Sequence, residues 1–100
     1  MERDDIDLSD SEDIKKKNLI NNLTYELPVL RARLGASQAD IAEKIGISRQ
    51  TYNSIETGKR EMNWTLFVAL IAVFQNNKQT KQMLEKIDGF DEEVTEIMIL

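Results

Sequence analysis

Between Ser37 and Gly58 the sequence writes out two short helices with almost nothing between them, a pattern few folds accept. Ser37 is a helix-opening residue with Asp40 three positions on, an approximate capping box. Ile41, Ala42 and Ile45 mark the buried face of the first helix. Gly46 stops it, because glycine turns through positive φ without a Cβ clash. Ile47 follows as an apolar plug, and Ser48 restarts the chain with a side-chain cap. The second helix runs to about Glu56 with Tyr52 and Ile55 inward, and Gly58 ends it. Ala42 is small where the next helix has to cross closely over it. The spacing therefore predicts two helices crossed at a steep angle, the second with its N-terminal end projecting.

The flanking segments read as helices too. Ile20, Leu23, Leu27, Leu30 and Leu34 recur at three- and four-residue spacing, one face of a helix. Pro28 interrupts that row and fits a first helical turn, which places the firm start near Glu26–Pro28. Residues 14–24 are then either a separate helical arm or a frayed lead-in. Gly35 ends the helix as a left-handed cap. Asn63 caps a fourth helix running to about Phe74, apolar from Trp64 onward except at Thr65. A fifth is expected near Lys78–Asp88 with Met83, Leu84 and Ile87 inward, and a short last one near Asp91–Ile99. No segment alternates apolar and polar residues as a half-buried strand does, so the fold class is all-α. Hydrophobic residues at 41% supply one core, giving a single helical domain over residues 14–100. Within it the helix-turn-helix spans 37–57, and the C-terminal helices, 78–100, cover the core or dimerise.

Charge divides sharply along the chain. Residues 1–13 hold seven acids and one base, and this acidic stretch is expected to be a disordered tail. Residues 14–60 hold nine bases and four acids, and residues 61–100 three bases and seven acids. The net −5 thus conceals a basic middle that coincides with the paired helices. Cysteine and histidine are both missing, which removes disulfides, thiolate chemistry and the commonest general base and metal ligand. No cofactor, metal or small-molecule substrate is indicated, and no enzyme class. The acidic N-terminus is unlike a secretion signal, and the apolar run Leu66–Phe74 is about half of a membrane span. A cytoplasmic protein is expected.

Residues 37–60, SQADIAEKIGISRQTYNSIETGKR, resemble the Xre family of helix-turn-helix transcriptional regulators, the lambda-repressor-like group that includes Cro. The resemblance extends over roughly Leu27–Phe74 and implies a bundle of about five helices, here with an additional short C-terminal one. It implies double-stranded DNA as partner and a recognition helix starting after Ser48 that enters the major groove. Base readout would fall to Arg49, Gln50, Asn53 and Ser54, side chains whose donors and acceptors suit base edges. Phosphate contacts would come from Gln38, Lys59 and Arg60, with Asn63 and Thr65 at the next helix start. The family also implies a positioning pair between Arg31 and Glu56. The entry to the fourth helix, Glu61–Trp64, departs from the family's usual Pro or Ser-Leu, so the phosphate contacts there differ. Tyr52 stands where a branched aliphatic is common: either a core ring with a wet tip, or a hydroxyl at the groove edge.

Two functions from different classes remain open on sequence. One is a sequence-specific bacterial-type transcriptional regulator, a homodimer through the apolar C-terminal half reading paired half-sites. The other is a protein-interaction module, an antitoxin-like partner that keeps the helix-turn-helix as scaffold. The Lys15–Lys17 run is either a DNA-touching arm or a solvated cluster, and the acidic tail either a phosphate mimic or a solubilising extension.

Overall fold

Leu19, Leu23, Leu27 and Leu30, none more than 2% exposed, form an apolar stripe on one side of a helix running from Leu8 to Leu34 (α1). The computed structural model describes residues 8–90. After α1 come α2 (Gln38–Ile45), α3 (Arg49–Glu56), α4 (Trp64–Gln75) and α5 (Lys78–Glu85), and no strand occurs among the described residues. The all-α expectation holds. The expected last helix over 91–99 lies outside the described residues.

Two boundaries at the start of the chain differ from expectation. The helix does not begin near Glu26–Pro28; Pro28 sits inside α1, which is continuous. Proline removes one backbone bond and clashes locally, a penalty of about 3 kcal/mol in a helix interior. Burial of Leu19, Ile20, Leu23 and Leu27 ahead of it offsets that penalty. Pro28 also points to solvent, where water can reach the carbonyl that loses its partner. Nor does the acidic stretch stay outside the helical part, since residues 8–13 already belong to α1. Glu12 and Asp13 precede Lys16 and Lys17 by four residues each, the orientation that supports a helix surface.

The turn helices follow their caps. Ser37 Oγ accepts from the Asp40 N–H at 3.0 Å, and the Asp40 carboxylate accepts from the Ser37 N–H at 2.9 Å. The Ser37 N–H bond to the carboxylate, and then the Ser37 side chain beside it, hold the Asp40 pKa below its usual value. Gly46 takes φ +79°, left-handed backbone, with nothing within 4 Å of where a Cβ would stand. The glycine is there for its backbone conformation and not for space. Ser48 caps α3 through the Thr51 N–H at 3.0 Å.

The strongly apolar α4 is covered by three helices on most of its surface, though Thr65, Ala72 and Gln75 stay exposed. α1, α2 and α5 all pack against it, burying Phe67, Leu70, Ile71 and Phe74. The cover expected from the C-terminal helices, with a partner subunit on another side, is thus supplied in part by α1 and α2. At its end the chain turns into α5 on two side chains. Asn77 Nδ2 donates to the Val73 carbonyl at 2.8 Å, and the fully buried Thr80 hydroxyl donates to the Phe74 carbonyl at 2.6 Å. Thr80→Val keeps the shape and removes that donor, so it should lower unfolding free energy by about 1–2 kcal/mol in urea titrations. An unchanged midpoint would mean water replaces the hydroxyl.

Only three large hydrophobic side chains among the described residues are exposed, Ile14, Tyr25 and Val29. Helical spacing puts them on one stripe of α1, opposite its core face.

Candidate nucleic-acid interface

The α3 sequence RQTYNSIE separates into faces by helical spacing alone. Tyr52 and Ile55 are fully buried. Opposite them lie Gln50, exposed, and Ser54, partly exposed. Arg49, Asn53 and Glu56 share a polar flank between those faces, the side turned to α2. All four residues expected to read bases therefore sit on the outer half of one helix.

The flank carries a network that begins at Glu56, whose side chain is 6% exposed. Arg31 donates to both its oxygens, from Nε at 2.9 Å and Nη2 at 3.1 Å, a bidentate pair that ties α1 to α3. The positioning pair implied by the family is therefore present. Arg31 also donates from Nη1 to the Ala36 carbonyl at 3.2 Å, securing the α1–α2 turn. Tyr52 donates its hydroxyl to Glu56 Oε2 at 2.9 Å. The core ring expected on sequence is there, but both options for the hydroxyl are corrected: it is neither wet nor at the groove edge. Burial, then the Glu56 bond, raises the Tyr52 pKa, so it stays a donor. Burial pushes the Glu56 carboxyl up, but hydrogen bonds from Arg31, Gln38 and Tyr52 outweigh it and leave the pKa lowered. The Glu56 bond likewise raises the Arg31 pKa.

Gln38 stands differently from expectation. Its Nε2 donates to Asn53 Oδ1 at 3.0 Å and to Glu56 Oε1 at 2.8 Å, while Oε1 accepts from Arg49 Nη1 at 3.3 Å. A side chain with both amide protons committed has none to offer a phosphate. The sequence carried a signal for this in Arg49, Asn53 and Glu56, spaced by four and three residues into one polar row that needs a partner across the turn.

The remaining candidates lie around the α3 ends. Lys59 and Arg60 are exposed in the turn after α3, which the Arg60 N–H closes onto the Ser54 carbonyl at 3.0 Å. Asn63 is exposed, but its Oδ1 is engaged as the α4 cap, accepting from the Leu66 N–H at 2.8 Å. Thr65 is exposed in the first turn of α4. Trp64 beside it is half-buried: its ring stacks on Phe67 at 4.6 Å, with Lys16 Nζ 5.1 Å from its centroid. Lys16 thus has a structural use independent of any arm role.

Two short capped helices around a left-handed glycine, the second backed by a bidentate pair and offering a polar outer face, define a helix-turn-helix protein. A family model described as a helix-turn-helix domain matches residues 23–76, and the chain belongs to that family. The match fits the Xre/Cro-type resemblance of the sequence and spans most of α1's second half through α4. No curated protein and no solved structure matches the chain. No helix among the described residues is long and apolar enough to cross a membrane.

Proposed function

We propose that this protein is a sequence-specific double-stranded DNA-binding transcriptional regulator that places α3 in the major groove, acting as a homodimer. The observation that supports it most is the outer half of α3. Arg49, Gln50, Asn53 and Ser54 stand together there, with Lys59 and Arg60 exposed just beyond. A scaffold has no need of that concentration of donors on a rigidly backed helix. Base readout falls to those four residues, and backbone contacts to Lys59, Arg60 and Thr65, with Asn63 adding its free amide. The single helical domain and the dimer through its C-terminal half belong to the same proposal.

Duplex binding across a salt series tests it. Log affinity should fall steeply with log salt, from release of roughly four to eight counterions per dimer. Lys59→Ala should weaken all duplexes alike and lower the slope by about one per protomer. Sedimentation at the same concentrations reads the oligomeric state. A flat salt response would favour the interaction-module reading, to which the exposed stripe of Ile14, Tyr25 and Val29 lends support.

A further inference from the structure

The amide of Asn53 has a fixed sense, and the hydrogen-bond chemistry of its neighbours sets it. Glu56 takes bonds from Arg31 on both oxygens and from Tyr52, so it is an acceptor with no proton to give. The Gln38 amide can therefore meet Glu56 Oε1 only with its NH2, at 2.8 Å. Gln38 Oε1 is left for Arg49, a side chain that can only donate. The second proton of the Gln38 NH2 reaches toward Asn53 and requires an acceptor there. Asn53 meets it by turning Oδ1 inward, 3.0 Å away. What remains for the outer side is the Asn53 NH2, which has no hydrogen bond to any described residue.

We infer that Glu56, acting through Gln38, makes Asn53 a pure hydrogen-bond donor toward the groove, so that this position of α3 selects guanine. The inference rests on the DNA-binding proposal above and adds the class of base. An unconstrained asparagine prefers adenine, because its oxygen and NH2 match N6 and N7 together. With the oxygen held inward that double fit is gone. Guanine offers such a donor two acceptors, N7 and O6, against one each on adenine (N7, beside the competing N6 donor) and thymine (O4), while cytosine shows only the N4 donor and is refused. Glu56 and Gln38 are positioning residues here; Asn53 makes the contact.

Selection of bound duplexes from a random pool, run with the full chain and two variants, tests this. The unsubstituted protein should enrich a motif with guanine at a position whose preference depends on Asn53. Asn53→Asp keeps an inward acceptor for Gln38 and turns the outward donor into an acceptor. It should move that one position from guanine to cytosine by roughly five- to a hundred-fold. Gln38→Ala frees the amide to rotate and should admit adenine there. Adenine selected by the unsubstituted protein, or a motif indifferent to both substitutions, overturns the inference and leaves DNA binding standing. No enriched motif at all sinks the DNA-binding proposal itself. The amide sense is then read in the free protein by side-chain proton exchange. The Gln38 NH2 should be protected and the Asn53 NH2 should exchange freely; equal exchange overturns the assignment.

Discussion

Phe67→Ala should leave the domain close to unfolding, with a loss of about 3–5 kcal/mol out of the roughly 5–15 kcal/mol that a small domain has. Phe67 is fully buried at the point where three parts of the chain meet. Its ring supports Trp64 in a stacked pair at 4.6 Å and meets Phe90 edge-on at 5.7 Å. Removing it withdraws the floor beneath Trp64, and with it the surface over which Lys16 of α1 sits. The same cavity takes away the ring against which Phe90 closes the end of the described chain. The surroundings cannot collapse into the gap without shifting α4 relative to α1, so the cavity contribution should be near the upper end. Phe67→Leu keeps most of the volume and should lose less than about 1.5 kcal/mol. Urea titrations of the two variants decide it. An alanine variant within 1 kcal/mol of the parent would mean the three aromatic rings do not act as one packed unit.

The elements that sequence predicted best are those whose instructions are local. α2 and α3 carry their starts in Ser37 and Ser48 and their separation in Gly46, and each of these acts within one helical turn. α1 is longer than its sequence suggests because the penalty at Pro28 is local, whereas the gain that overrides it is tertiary. Leu19 and Leu23 are buried only once α4 and α5 are in place against α1. The composition of α4 announced a buried helix without saying what covers it, since an all-round apolar surface has no preferred direction. The same division runs through the site. Exposure of Arg49 and Gln50 follows from the register of α3. The engagement of Gln38 does not, because it depends on what Glu56 demands from across the α2–α3 turn.

Arg31→Ala should destabilise the domain by about 3 kcal/mol near neutral pH, because it strands a carboxylate whose side chain is only 6% exposed. The pH dependence separates this cause from simple loss of packing. In the parent protein the Glu56 pKa is lowered, so its contribution is complete above the unfolded carboxylate pKa of about 4.3. That contribution is lost as pH falls through the lowered folded value. In the variant the Arg31 bond and charge are gone, and only the Gln38 and Tyr52 bonds still oppose burial, the strongest influence on Glu56. Its pKa should then lie above the unfolded value, which reverses the sign. The variant should regain stability relative to the parent as the medium is acidified through that raised pKa, and be weakest where the carboxylate is fully charged. Arg31→Ala combined with Glu56→Gln removes the buried charge and should flatten this difference while recovering part of the loss. Unfolding midpoints of parent, single and double variants between about pH 4 and 8 measure it, the range being set by the ordinary carboxylate value and neutrality. Parallel curves for parent and single variant would show that Arg31 does not hold the Glu56 charge. α3 would then owe its position chiefly to the buried Tyr52 and Ile55.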